Sequence, residues 1–421
     1  MEDSFYDVVV VGGGAGGVAA AVGAAQAGVR VALLEKAGFL GGAATNSSVL
    51  AYCGFFTQGG EQIVRGVGQQ FIDRLRENRL YRAQRQPYSG NTIVLLDRET
   101  TKRTLDSLVE EAGVDVYLHT TLTGAALLEG GDRLRIGQVA ALHRGGELRL
   151  RAESFVDASG DAVLAAAAGA GLLVSPAGQR QGSTLVMHVG GVPWEQKLPA
   201  GGDVAEAFAR HRRETGTVLA QSNNVCVRSP VTGELMLLLA DQHVDALDVR
   251  ALSRAEMAAR RQTAEIFTAL RNHLPGWEDS YLSHTGPQIG IRETRRIEGR
   301  GQVVEEHIHR GSKDEETGVA KCGWPIEDHS TPGKTSYTQI GDDGWYHIGG
   351  EALASGTHEN LWAAGRIISS DQRAYASVRV MGTAFATGHA AGIYAALQAA
   401  GKGQNSHAAV RAELTRQGAD I

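Results

Sequence analysis

The chain opens on a run of β-branched residues at 8–11 flanked by polar ones, the pattern of a strand buried on both faces of a parallel sheet. A glycine-rich turn and an Ala-rich stretch follow, so a helix is expected to pack closely behind the strand, with Gly28 closing it. A second strand over 29–34 ends at Glu35. Ile63, Val67, Phe71, Ile72 and Leu75 keep helical spacing and predict a helix over 61–78. The same pattern recurs over 100–112, is stopped by Gly113, and gives way to a strand over 114–118. Three alternating runs near 124–128, 137–143 and 147–151, parted by GGD and RGG turns, predict a small antiparallel meander. A strand over 155–158 then ends in the turn Ser159-Gly160-Asp161, after which an Ala-rich helix begins.

Beyond about Leu172 the composition shifts. Residues 183–189 alternate, 235–239 are Leu-rich, and a helix over 253–270 is expected to start at a Ser253 cap and to end before Pro275. Residues 314–333 are polar and rich in turns. The last block returns to the opening pattern, with a short strand over 360–364, a turn at Gly365-Arg366 and an Ala- and Gly-rich helix over 382–399. Only the tail after Gly401 looks loosely attached. Strands alternating with helices at both ends and a different middle predict an α/β fold, in which 1–172 and 338–421 form one discontinuous domain and 173–337 an inserted α+β domain.

The opening turn also carries chemistry. Gly12, Gly14 and Gly17 fall in the G-x-G-x-x-G spacing between strand and helix. The first allows the tight turn, the second lets the backbone approach a pyrophosphate, and the third lets the helix pack on the sheet. The free N–H groups of the helix start favour negative charge. Glu35, at the end of the second strand, can accept from both ribose hydroxyls and disfavours a 2′-phosphate, so FAD or NAD is expected and NADP is not. In a chain with 55 glycines the spacing alone says little; its place between strand, helix, second strand and terminal acid gives it weight.

Composition narrows the setting. At 421 residues with 43% hydrophobic and 21% charged residues, the chain has room for two or three ordinary globular domains. A net charge of −6 argues against general affinity for nucleic acid or anionic membrane. Cys53, Cys226 and Cys322 are far apart with no C-x-x-C, which speaks against a disulfide framework or structural zinc and for a reducing compartment. No uninterrupted apolar stretch reaches the roughly 18 residues of a membrane span, and the acidic N-terminus runs straight into a strand, so a cytoplasmic location is expected.

Eight segments then stand in a familiar order: VVVVGGGAGGVAAA, GFLGGAAT, CGFFT, VDASGD, PQIGIRETRRIEG, WPIEDH, NLWAAGR and SVRVMGTAFATGHAAG. Together they resemble the FAD-dependent oxidoreductases of the glutathione-reductase-like superfamily, in the branch related to succinate dehydrogenase and fumarate reductase flavoproteins. The resemblance covers nearly the whole chain and implies a Rossmann-type FAD-binding domain of 1–172 and 338–421 with a substrate or cap domain of 173–337. It implies Gly12, Gly14, Ala15 and Gly17 at the FAD pyrophosphate, Glu35 at the adenosine ribose and Lys36 near the adenine. Gly41, Gly42, Ala43 and Thr45 would edge the flavin. Ser159, Gly160 and Asp161 match the turn beneath ribose and pyrophosphate, and Gly365 a glycine that approaches the pyrophosphate. Arg366 stands where that branch has an acidic ribitol ligand. Arg379 matches a substrate-binding arginine beside the flavin, and Gly382 and Thr383 the start of a helix aimed at the flavin pyrimidine. Such a helix start stabilises charge developing on the reduced ring.

Two departures follow from the same comparison. The loop AATNSS has no histidine to bond the flavin, so non-covalent FAD is implied; and Gly344-Trp345-Tyr346-His347 lacks the spacing of flavin halogenases, which makes monooxygenation the weaker reading. No second G-x-G-x-x-G implies a built-in NAD(P)H domain, so electrons are expected to leave by oxygen, a quinone-like acceptor or a partner protein.

Flavin dehydrogenation needs a C–H aimed at N5, a proton acceptor and groups holding the polar end of the substrate. Arg379 is the first candidate clamp, and Arg292, Arg295 and Arg296 follow, although Glu293 and Glu298 can pair with them locally. For proton transfer the sequence offers His329 first, then Tyr337, His347 and Tyr375. Cys53 reads as a buried inert thiol, and His307 and His309 with Glu305 and Glu306 as a solvated charge run with no metal. The reading is an FAD-dependent dehydrogenase or oxidase of a small polar, anionic molecule, with no nucleic-acid partner and no membrane span. Its alternatives are reduction of an activated C=C bond and a flavin-carrying electron-transfer subunit without its own substrate.

Overall fold

The computed structural model describes residues 3–86, 89–130, 133–176, 178–220, 225–401 and 406–421. Its principal sheet is built from β1 (Asp3–Val11), β2 (Val31–Leu34), β3 (Asp115–Tyr117), β4 (Thr121–Leu127), β5 (Ile136–His143) and β6 (Gly146–Asp157), in the order β3-β2-β1-β6-β5-β4. β3, β2, β1 and β6 run parallel, while β5 and β4 are antiparallel. The runs expected at 147–151 and 155–158 are one strand, β6. Its first half pairs with β5 of the meander, and its second half, Phe155 to Asp157, takes the late strand formed by Leu361–Ala363. The register sets Val11 opposite both Leu34 and Asp157, and Asp157 opposite Ala363, so the carboxyl ends of four strands form one edge.

Helix α1 (Ala15–Gln26) returns from that edge, and a long late helix, Met381–Ala399, lies across it. Both are small-residue helices buried almost all round, and they touch backbone to backbone: a methyl built on Gly388 would stand 2.1 Å from the Gly16 carbonyl oxygen, and one on Gly392 2.1 Å from that of Ala20. Glycine is the only residue that permits this approach.

A second, four-stranded antiparallel sheet contains β7 (Ser183–Gly190), Val225–Arg228, Leu235–Gln242 and Tyr281–Thr285. The helix Val249–His273 packs on it, and the helix Gly201–Thr215 on that helix, over a separate core that includes Leu185, Met187, Leu237, Ile266, Leu270 and Trp277. β7 is buried at every position, so its apparent alternation marks an interior strand.

Several expectations are corrected. The helix expected over 61–78 is Val67–Glu77, because Gly66 (φ +59°) breaks the backbone and Ile63 and Val64 bond to the Phe55 carbonyl instead. The helix expected over 253–270 starts a turn earlier, capped by Asp248, whose carboxylate accepts from Arg250 N at 2.8 Å and Ala251 N at 3.1 Å. Ser253 Oγ instead donates to the Val249 carbonyl. The helix Gly201–Thr215 was not anticipated, although Val204, Ala207, Phe208 and His211 carry its buried face at helical spacing. The tail is docked rather than loose: its helix His407–Arg416 buries Val410 and Leu414, and Gln417 bonds to His389 Nε2 at 2.7 Å and to the Gly23 carbonyl at 3.1 Å. Among the described residues no helix is long and apolar enough to cross a membrane.

Candidate active site

Two cavities lie at the sheet edge. The first is a groove of about 450 Å³. Of the residues expected at a dinucleotide, Gly12, Gly14, Ala15, Glu35, Lys36 and Gly42 line it from the opening unit, and Ala43, Ser159, Gly160, Asp161, Gly365 and Arg366 complete the wall. The arrangement follows from local chemistry. Gly12 (φ +102°) makes the turn out of β1, and a Cβ there would strike the Ala158 carbonyl. The α1 start is capped by no side chain, so its first N–H groups are open to a negatively charged ligand. Glu35 is buried and already accepts from Gly13 N (2.7 Å) and Ala37 N (2.8 Å), which fixes the carboxylate at the groove while leaving lone pairs for a ribose.

Five expected residues do not line the groove. Gly17 packs beneath it, where a Cβ would lie 1.7 Å from the Gly12 oxygen. Gly41 N donates to the Gly13 carbonyl and Thr45 Oγ1 to the Leu40 carbonyl at 2.7 Å, so both shape the loop from behind. Gly382 lies against the backbone of Cys53 and Gly54, and Thr383 is fully buried with Oγ1 3.3 Å from Cys322 Sγ.

An ionic tie in the groove joins the loops that follow two neighbouring strands of the principal sheet. Arg366, at the end of the late strand, packs flat on Gly160, and its Nη2 donates to Asp161 Oδ1 at 2.9 Å. Thr294 Oγ1 donates to the same oxygen and Arg295 Nε to the Asp161 carbonyl, both at 2.9 Å. Burial opposes charge on Asp161, but Arg366, Lys36 and Thr294 outweigh it and hold its carboxyl below the ordinary range. Arg366 Nε is buried, and among the described residues it has no partner. Open helix N–H groups, a glycine turn and an orphaned guanidinium N–H all fit a diphosphate-bearing cofactor.

The second cavity is a mainly apolar chamber of about 170 Å³. Ala43, Ile291, Arg366, Arg379 and Met381 line both cavities and form their common wall. Arg379 and Met381 stand at the start of the helix Met381–Ala399, which also lacks a side-chain cap.

All three first-choice candidates for chemistry, Arg292, His329 and Arg379, line the chamber, together with Tyr337 and Cys53. Glu327, which sequence reasoning passed over, is their hub. It accepts from Tyr337 OH (2.8 Å) and Trp324 Nε1 (3.0 Å), and its oxygens lie 3.4 Å from His329 Nε2 and 3.6 Å from Arg379 Nη2. Burial raises the Glu327 carboxyl, yet His329, Arg379 and Tyr337 together hold it well below the usual range, so it is ionised. Burial and the Arg292 charge push His329 below the ordinary imidazole range against the pull of Glu327, so its imidazole is neutral at neutral pH. Burial, then Glu327, push the Cys53 thiol far up, which keeps it protonated. The only sequence sign of Glu327 was a carboxylate two residues from His329 in an apolar setting.

The remaining candidates are elsewhere. Arg296 is buried in an ion pair with Glu293 at 2.8 Å, and Arg295 serves the groove through Asp161. Tyr375 OH donates to the Arg292 carbonyl, and His347 Nδ1 accepts from Asp314 N at 2.9 Å; neither lines the chamber. His309 pairs with Glu305 on one exposed helix face. Among the described residues one set of metal-ligand types converges: His188, Glu234 and His284. Its imidazoles stack with planes 5° apart and centroids at 4.3 Å, and in-plane lone pairs of parallel rings do not meet at one ion.

Comparison with known proteins points to the same kind of cofactor. A family model described as FAD dependent oxidoreductase matches residues 7–416. The dihydrolipoyl dehydrogenase of Trypanosoma brucei brucei is 61% identical over 41 residues, which span 10% of this chain and 9% of that protein. Among solved structures, a geranylgeranyl bacteriochlorophyll reductase-like protein from Thermoplasma acidophilum superposes with a TM-score of 0.50 at 14% identity, covering 99% of this chain and 83% of that one. A triple mutant of a flavin-dependent brominase gives a TM-score of 0.51 at 16% identity, over 98% and 84% of the two chains. At such identities the likeness is one of fold.

Proposed function

We propose that this chain, which belongs to the FAD-dependent oxidoreductase family, dehydrogenates a small organic anion bound in the chamber beside its non-covalently held FAD. The observation that carries the reading is the common wall: Ala43, Ile291, Arg379 and Met381 line both cavities, so a dinucleotide held in the groove with its adenosine end at Glu35 would bring its redox-active end against the chamber. In this reading 1–172 and 338–421 hold the cofactor and 173–337 covers the substrate. Ala43, Asn46 and Ser47 face the groove from the flavin loop, in keeping with a cofactor that is not tethered there. Three free cysteines are in keeping with a reducing, cytoplasmic setting.

When bound, the flavin supplies a hydride acceptor at N5. The chain's own residues do the rest. Arg379 is held by the Glu327 carbonyl at 3.0 Å and keeps Nε unpaired toward a ligand. Neutral His329 directs Nε2–H at Glu327 and Nδ1 at the Thr335 hydroxyl, 3.0 Å away on the chamber wall, and takes the proton released from the substrate at Nδ1 through that hydroxyl. Ionised Glu327 stabilises the imidazolium that results. The mainly apolar walls exclude water and strengthen each of these interactions.

The test is anaerobic reduction of the FAD-loaded protein. The expected result is bleaching of the flavin by a small organic anion and not by NADH or NADPH. Reduction only by NAD(P)H, or only by a reduced protein partner, would contradict the reading. His329→Gln, with ordinary FAD content, is expected to slow the bleaching at least about 100-fold. In the unmodified protein the rate should be level through the neutral range and fall only on acidification well below the ordinary histidine range, because burial and Arg292 hold His329 neutral until then.

A further inference from the structure

The chamber describes its ligand through what its wall leaves unpaired. Among the described residues, two buried side-chain polar atoms without a partner belong to residues of the chamber wall, Gln86 Nε2 and Arg379 Nε; a third, Arg366 Nε, stands on the wall shared with the groove, where the cofactor's diphosphate would take it. All three are donors, so the ligand must bring acceptors. Arg292 adds a stronger demand. Its Nη1 donates to the Gly182 carbonyl at 2.6 Å and to Thr184 Oγ1 at 2.7 Å, and among the described residues no carboxylate lies within ion-pair distance of it. Asp241 is held one residue away, as the acceptor of the Thr184 hydroxyl. Burial pushes the Arg292 guanidinium below its ordinary range, the mark of a cation removed from water without a direct counter-ion. Glu327 does not make up for this, since Arg379, Tyr337, Trp324 and His329 already surround it.

The rest of the lining is of another kind. Val49, Ala51, Ile93, Val186, Met236 and Leu238 bring hydrocarbon from four strands and a loop, with no charged group among them. A chamber of about 170 Å³ is close to the roughly 150 Å³ of a cavity that holds a benzene ring. Resting on the reading of the chamber as a substrate site, we infer that the substrate is a monoanion with one apolar body the size of a single ring or a short branched chain, its carboxylate-like end held by Arg292 and Arg379. A dicarboxylate leaves its second charge against hydrocarbon, and a cation meets Arg292 and Arg379, while the two lining carboxylates, Asp241 and Glu327, are already engaged by Thr184 and by Tyr337, Trp324 and Arg379.

The test uses the FAD-loaded protein and three non-reducing probes, with binding read from the shift of the flavin absorption band. Benzoate is expected to bind at least tenfold more tightly than benzamide, which has the shape without the charge, and at least tenfold more tightly than succinate, which has charge without the apolar body. Arg292→Met should bring benzoate down to the level of benzamide, Arg292→Lys should fall between, and Val186→Phe should remove benzoate binding by filling the apolar end. FAD content of each variant reports that it has folded. Succinate binding as tightly as benzoate, benzamide equalling benzoate, or no response to any probe would overturn the inference. Failure of dehydrogenation itself appears separately, as a flavin that binds benzoate normally yet is bleached by no organic anion.

Discussion

The contact between α1 and the helix Met381–Ala399 makes a sharp prediction, because it joins stability to cofactor binding. A methyl group on Gly388 would stand 2.1 Å from the Gly16 carbonyl oxygen and 2.7 Å from its carbon. Both atoms are main chain, so no side chain can swing away, and the helices must separate by about 1 Å to restore ordinary contact. Overpacking of this kind costs about 1–3 kcal/mol, and the better helix propensity of alanine returns about 0.5–1 kcal/mol of it. Gly388→Ala is therefore expected to destabilise by about 1–2 kcal/mol, read as a lower urea midpoint at unchanged slope. Gly16 also lines the cofactor groove, so the displacement moves the open N–H groups of α1. FAD affinity, read by fluorescence quenching of the free cofactor, should fall about fivefold for each 1 kcal/mol of that disturbance. The control is Gly202→Ala at the exposed start of the helix Gly201–Thr215, where an added Cβ meets nothing within 4 Å and stability should stay level or rise. If Gly388→Ala matches this control in both stability and FAD affinity, the close approach of the two helices is not what sets the groove.

Two further outcomes follow from the charges. Arg366→Leu leaves Asp161 without its cation beside the cofactor's diphosphate, so equilibrium dialysis should show FAD bound at least about tenfold more weakly; adding Asp161→Asn should restore part of the loss, and no recovery would show that the pair is not its cause. Burial pushes His389 down from 6.5 to about 4, so the unfolded chain takes up its proton at a pH where the folded chain resists it. Stability is then complete above pH 6.5 and lost as pH falls toward 4, by on the order of 3 kcal/mol at most for this ring. His389→Gln should narrow the gap between urea midpoints at pH 7 and pH 4.5.

The dinucleotide cradle was legible in the sequence because it is local. Gly12, Gly14, Ala15 and Glu35 lie within one strand-turn-helix-strand unit, where spacing dictates geometry. The chamber is assembled from Ala51, Val186, Met236, Arg292, Glu327 and Arg379, which stand on separate segments, and periodicity along the chain says nothing about which of them meet. Arginine and histidine drew notice by their chemistry, so Arg292, His329 and Arg379 were named; Glu327 was passed over, because a carboxylate becomes a hub only once its donors surround it. Helix starts were misplaced for a related reason: Asp248 and Ser253 are both good caps in isolation, and only packing selects between them. The tail looked loose because Gln417 gains its meaning from His389, a contact between distant parts of the chain.

The central claim is that the groove delivers the redox end of the cofactor to the chamber. A crystal structure of the FAD-loaded protein soaked with benzoate tests it most directly. The account expects the isoalloxazine against Ala43, Ile291, Arg379 and Met381, with benzoate on its chamber side and its carboxylate at Arg292. An isoalloxazine lying along the outer groove near Leu247 and Leu252, with the chamber closed off from it, would contradict the account.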